Sequence, residues 1–211
     1  ASDDILLGTA GIDNISTLEG VDAVSALAGN DTITLTADSV WGAGYAAKNM
    51  SISPSVGTNQ KIELDGFNRF SDVIDGGADT DTLNLTVGND AFFIDDVYSD
   101  IHSSLAPSLT STSQGIDSIA RIANLEVINA GAGNDVVDLT SANFILTNAV
   151  EINGEAGNDI LWGSNGNDTI NGGEGDDTIF GGSGNDTLTG NSGSDIFQFT
   201  ATAGSDIITD F

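Results

Sequence analysis

Five aspartates stand nine residues apart: Asp159, Asp168, Asp177, Asp186 and Asp195. A glycine precedes each by two residues (Gly157, Gly166, Gly175, Gly184, Gly193) and another by five (Gly154, Gly163, Gly172, Gly181, Gly190). A carboxylate presented at constant intervals behind a flexible turn supplies oxygen ligands in a regular array. Calcium wants that chemistry, taking six to eight oxygens at about 2.3–2.6 Å from carboxylates and main-chain carbonyls. Asp-Gly runs also mark ordinary turns. Here, however, an apolar residue always fills the eighth position of the nine: Leu161, Ile170, Ile179, Leu188 and Phe197.

Weaker copies extend the array. Residues 8–34 hold three in tandem, GTAGIDNIS, TLEGVDAVS and ALAGNDTIT, with Asp13, Asp22 and Asp31 in sixth place. Single copies stand at 76–84 (Asp81), 130–138 (Asp135) and 201–209 (Asp206), giving eleven in all. Self-similarity at this period signals a calcium-binding parallel β-helix. The glycine-rich half turns, since glycine takes φ > 0 at no steric cost. Three residues after the aspartate form a short strand. The eighth residue points inward between two stacked sheets, and burying each contributes about 1.5–3 kcal/mol. Two nonapeptides make one coil. Turns of successive coils then stack, and a carboxylate from each of two turns with four carbonyls supplies six ligands. The expected fold class is all-β, a calcium-bound parallel β-roll with two non-repeat insertions, one containing a short helix.

Composition agrees. With 4 Lys+Arg against 32 Asp+Glu the formal charge is −28. A nucleic-acid partner needs a basic patch, and so does an anionic membrane surface. Both are excluded. No apolar stretch approaches the ~20 residues of a membrane helix, and no charged-then-apolar signal segment opens the chain. Cysteine is absent, so there is no disulfide and no thiolate metal site. At 39% apolar residues the chain does not read as disordered. A compact body of this charge repels itself unless cations sit within it.

Two stretches break the period. Residues 37–71 carry Trp41, Tyr45, Phe67, Phe70 and Pro54, with three of the four basic residues, Lys48, Lys61 and Arg69. In residues 89–125, Phe93, Val97, Ile101 and Leu105 recur at helical spacing and Pro107 offers a stop. Ile116, Ile119, Ile122 and Leu125 follow, with Arg121 the fourth basic residue. The expected organisation is one domain over 1–211: N-terminal repeats 1–36, insertion 37–71, an isolated repeat 72–88, a helical insertion 89–125 and a C-terminal roll 126–211. The insertions either cover a solenoid flank or build a binding face. On the second reading Trp41, Tyr45, Phe67, Asn68, Arg69 and Tyr98 contact a ligand. The copy at 76–84 has Asp79 where others have glycine, and with Asp72, Asp75 and Asp81 it makes a dense carboxylate group. A calcium there, short of protein ligands, would accept a carboxylate or hydroxyls from a ligand, with Asp75 and Asp79 in contact.

Catalytic signatures are missing. There is no H-E-x-x-H and no G-x-S-x-G. A Ser-His-Asp triad would need the single histidine, His102, which reads as a surface or packing residue. The expectation is not an enzyme.

The nonapeptides resemble the RTX (repeats-in-toxin) family of Gram-negative secreted proteins, most specifically over 154–198. The resemblance implies several calcium ions, an extracellular or bacterial cell-surface location, export by a type I system, and folding outside the cell. An interrupted RTX body of this size is similar to the peptide-binding domain of giant RTX adhesins. That likeness implies calcium-dependent capture of the C-terminal peptides of host surface proteins, a bound calcium chelating the terminal carboxylate, by a module monomeric within a longer chain and not inserted in the membrane. A structural calcium-folding module near a secretion signal and a calcium-dependent glycan binder are the alternatives. Ice-binding RTX arrays carry threonine in third position; none stands there in the eleven copies, which argues against that role.

Overall fold

A computed structural model describes residues 3–42, 47–50, 60–94, 122–140, 145–200 and 203–211. The chain opens with β1 (Ile5–Leu7), β2 (Asn14–Ser16), β3 (Ala23–Ser25) and β4 (Thr32–Thr34). β1 pairs in parallel with β3 and β2 with β4, at Ile5↔Ala23 and Asn14↔Thr32. Two nonapeptides therefore make one coil. These four strands are short because only positions seven to nine of the nonapeptide are extended in them. Their alternation sends the eighth residue inward and its neighbours outward.

β5 (Ser39–Val40) then leaves the coil, β6 (Ala47–Met50) and β7 (Gln60–Glu63) pair antiparallel, and β8 (Asn68–Arg69) returns antiparallel to β5. β9 (Val73–Asp75), β10 (Thr82–Asn84) and β11 (Asp90–Phe93) follow. After residue 121 come β12 (Ile122–Ala123), β13 (Val127–Asn129) and β14 (Val136–Asp138). The C-terminal roll is β15 (Glu151–Asn153), β16 (Ile160–Trp162), β17 (Thr169–Glu174), β18 (Thr178–Phe180), β19 (Thr187–Ser192), β20 (Ile196–Gln198) and β21 (Ile207–Ile208). The helical spacing from Phe93 has no counterpart at its first residue, since Phe93 ends β11. Val97, Ile101, Leu105, Tyr98 and His102 lie outside the described residues, as does Tyr45.

Expectation and structure differ in the number of walls. One spine, β2-β4-β10-β13-β15-β17-β19-β21, runs through the whole fold. The second wall changes identity along it. β1-β3-β9-β12 serves the N-terminal coils, while β8-β11-β14-β16-β18-β20, with β5 at its edge, serves the C-terminal ones. Where the two overlap the cross-section has three walls. A single core runs through all of them: Val24, Ile74 and Ile122 from the first wall, Ile33, Leu83, Ile128, Ile170 and Leu188 from the spine, Phe92, Val137, Leu161 and Ile179 from the last. The second core lies on the outer side of that last wall. Trp162 and Phe180, 5.7 Å apart at 74°, pack there with Val136, Ala91 and Phe93, and Leu64, Trp41 and Phe67 from the first insertion join them.

An amide ladder fixes the register of the spine. Asn129 Nδ2 donates to Asn84 Oδ1 (2.8 Å), Asn153 to Asn129 (3.0 Å) and Asn171 to Asn153 (2.8 Å). A slip by one coil position would break every one of these bonds.

Candidate metal centre

The repeat strands are entered from turns that end on the sixth-position aspartate, and the carboxylates stack in three columns, one along each wall. Asp13, Asp31, Asp81, Asp168, Asp186 and Asp206 precede spine strands. Asp22, Asp135, Asp159, Asp177 and Asp195 precede the other walls. Within a column each backbone N–H donates to Oδ1 of the aspartate one coil on. The bonds are Asp13 to Asp31 (2.8 Å), Asp31 to Asp81 (2.9 Å), Asp168 to Asp186 (2.9 Å) and Asp186 to Asp206 (3.1 Å). On the other side run Asp135 to Asp159 (2.7 Å), Asp159 to Asp177 (2.9 Å) and Asp177 to Asp195 (3.0 Å).

Oδ1 is thus committed to the fold, which leaves Oδ2. In Asp31, Asp81, Asp135, Asp159, Asp177 and Asp186 that atom is buried with no hydrogen-bond partner. These residues are at most 1% exposed. Buried polar atoms are normally satisfied, and each exception calls for an ion or a water. The surroundings are acceptors as well. A Cβ placed on Gly154 would lie 2.5 Å from Asp159 Oδ2 and 2.3 Å from the carbonyl oxygen of Gly172. At Gly76 the corresponding atoms are Asp81 Oδ2 (2.7 Å) and the carbonyl oxygen of Asn124 (2.0 Å). Acceptors converging with no donor between them fit a cation. Among the described residues no three carboxylates gather as a ready metal cluster, so main-chain carbonyls must complete any coordination shell. Calcium bound here would neutralise the facing oxygens and tie one turn to the next.

Electrostatics point the same way. Burial pushes the Asp135 carboxyl up to about 8, with Asp159 and Asp90 adding repulsion, against a lowering hydrogen bond from the Asp90 backbone. Burial likewise raises Asp159 to about 7 and Asp186 to about 6. Asp81, Asp90, Asp168 and Asp177 are raised for the same leading reason. A carboxyl whose folded value exceeds its unfolded value of about 3.9 stabilises the fold fully below the lower value, and that contribution disappears as pH rises through the higher one. The metal-free chain should therefore show more strand ellipticity at pH 5 than at pH 8. In saturating calcium the order should reverse, because protons compete for the ligands. Circular dichroism of calcium-stripped protein at the two pH values checks this; equal or greater order at pH 8 without metal would contradict it.

The dense group near Asp79 is dispersed. Asp75 Oδ1 accepts from Asn124 Nδ2 (2.7 Å), Asp79 is exposed with φ +84°, and Asp81 faces Gly76. Asp72 is buried in the column, its Oδ1 accepting from the Asp22 N–H at 2.8 Å. Of the other candidates, Asn68 Nδ2 donates to Asp90 Oδ1 (2.7 Å) and Thr86 Oγ1 (3.0 Å). The exposed Arg69 places its guanidinium 4.9 Å from the Trp41 ring centroid. Trp41 and Phe67 are half-buried against the second core.

Column members that motif reading passed over are Asp4, Asp72, Asp90 and Glu126. Asp4 donates its N–H to Asp22 Oδ1 (2.9 Å), Asp90 to Asp135 Oδ1 (2.7 Å), and Glu126 Oε2 accepts from the Asp81 N–H (2.9 Å). The signal was in the spacing, since Asp72, Asp81 and Asp90 are nine apart. The repeat at 76–84 therefore has a rung on either side of it. One rung lacks a carboxylate altogether: Val150 holds the sixth position before β15 and is buried in the core.

The profile of the RTX calcium-binding nonapeptide repeat matches residues 1–33, 68–92, 126–143, 151–179 and 162–197, more than half of the chain. The chain belongs to the RTX calcium-binding family. Its cofactor is calcium, in several copies. The profile reaches residues 68–92, where the RTX frame runs through Asp72 and Asp90. No curated protein and no solved structure matches this RTX chain. Among its described residues no helix is long and apolar enough to cross a membrane.

Proposed function

We propose that this RTX module is a calcium-gated folding unit of a secreted bacterial protein, unfolded where calcium is scarce and ordered on reaching the exterior. The observation that carries the reading is the set of six buried, unpartnered aspartate Oδ2 atoms. They make the folded state costly until a cation arrives, which suits a chain exported unfolded by a type I route. Calcium titration of the stripped chain, followed by circular dichroism, tests it. The expected midpoint lies at about 10⁻⁴–10⁻³ M, the range of extracellular calcium modules. A midpoint below about 10⁻⁶ M would mean folding before export and would refute the reading.

A second reading is ligand capture by an adhesin, with calcium bridging to the C-terminal carboxylate of a host peptide. Support comes from the exposed Asp79, two residues before the buried and unpartnered Asp81 Oδ2. Asp75, Trp41, Tyr45, Phe67, Asn68, Arg69 and Tyr98 are its proposed contacts. A peptide array in millimolar calcium, repeated with EDTA and with amidated C-termini, tests it. Hits lost in both controls support capture, and no hits from the folded chain leave the folding unit alone.

A further inference from the structure

The second residue of the nonapeptide separates eleven of the described turns into two kinds. In one kind it has a positive φ: Leu27 (82°), Gly77 (104°), Gly131 (101°), Glu155 (69°), Gly173 (115°), Gly182 (103°) and Asn191 (67°). The aspartates four residues further on are Asp31, Asp81, Asp135, Asp159, Asp177, Asp186 and Asp195. In each of the first six of these, Oδ2 is buried without a hydrogen-bond partner.

In the other kind the second residue is Thr9, Leu18, Thr86 or Ser164, none of which has a positive φ. Its N–H donates to Oδ2 of the aspartate in the same turn: Thr9 to Asp13 (2.6 Å), Leu18 to Asp22 (3.1 Å), Thr86 to Asp90 (2.6 Å) and Ser164 to Asp168 (2.6 Å). Three hydroxyls add a second donor to the same atom, Thr9, Thr86 and Ser164, each at 2.9 Å. Those hydroxyls in turn accept the N–H of the fourth residue, from Gly11 (3.3 Å), Gly88 (3.2 Å) and Gly166 (2.9 Å). Turns of this kind satisfy their own carboxylate.

A left-handed φ rotates the peptide joining the first and second residues and carries its N–H away from the carboxylate. Left-handed backbone costs a residue with a β-carbon, yet Leu27, Glu155 and Asn191 adopt it. Leu18 and Leu27 differ in φ with the same side chain, so conformation rather than residue type is what marks the turn. We infer that calcium loads the turns with a left-handed second residue and passes over those of Asp13, Asp22, Asp90 and Asp168. Donors already stand where the cation would bind. The inference rests on the calcium reading above and refines it: of these eleven turns, seven are open to metal.

Residues 163–168 read GSNGND and residues 181–186 read GGSGND, so Ser164→Gly gives the closed turn the second residue of an open one and leaves a difference only at the third position. Native mass spectrometry of the whole folded chain in calcium counts the ions. Ser164→Gly and Thr86→Gly should each gain one calcium over the parent, and Gly182→Ser should lose one. Unchanged counts in both glycine variants overturn the inference, whatever Gly182→Ser does to folding. A parent chain that binds no calcium at all would instead refute the calcium reading itself, and the two failures are distinguishable.

Discussion

Stripped of calcium at neutral pH, the chain should lose its strand spectrum. Removing the metal leaves six buried carboxylate oxygens with no partner. Each unsatisfied group costs on the order of 1–3 kcal/mol, more when charged. Linkage gives the same answer from the other direction. One site at a calcium concentration of a hundred times its Kd stabilises the fold by about 2.7 kcal/mol, so a handful of sites matches the roughly 5–15 kcal/mol of a whole domain. The formal charge of −28 works against a compact chain as well. Far-UV circular dichroism before and after excess EDTA at pH 7.5, with recovery on adding calcium, is the measurement. A native spectrum that persists in EDTA would show that the roll stands without metal.

The largest effect of a single substitution is expected at Gly157. Its φ is +141°, and a Cβ there would lie 1.5 Å from the carbonyl oxygen of Gly133 in the turn below. That oxygen belongs to backbone and cannot swing aside. Gly157→Ala must therefore force neighbouring coils apart at Asp135 and Asp159, both buried. The expected loss exceeds about 4 kcal/mol, the range reserved for such disruptions, and the calcium-saturated chain should melt far below the parent or fail to fold. Gly42→Ala is the matched control, since nothing lies within 4 Å of a Cβ there; it should stay within about 0.5 kcal/mol. Equal melting temperatures for the two variants would contradict the stacking geometry.

Much of this was legible before any coordinates. The eighth residue of a copy has one environment available, and Ile33, Leu83, Val137, Ile170 and Leu188 all lie in the core. The sixth aspartate is legible because a turn of constant length returns it to the same height on every coil. What escaped reading depends on relations between distant coils. The change from one second wall to another follows from where the chain re-enters after residues 41–67 and 95–121, and a local pattern carries no information on that. Phe70 belongs to the main core and Trp41 to the second one, yet aromatic composition reads the same for packing as for ligand contact. Asp72 and Asp90 kept the spacing, but Asp72 has neither glycine of the repeat and Asp90 keeps only Gly88, so reading for the glycine pair passes them while a ruler finds them. The two turn conformations are the least legible feature, because Leu18 and Leu27 are the same residue in different backbones.

The uninterrupted spine has a consequence for how such a chain changes over generations. Both long excursions leave and rejoin through the side walls. The first does so between antiparallel neighbours, Ser39 opposite Arg69 and Val40 opposite Asn68, so its two ends are already side by side. An excursion anchored in that way is a cassette. It can lengthen, shorten or be exchanged for another while the spine keeps its register, and variation in what the surface offers can accumulate there without retuning the metal columns.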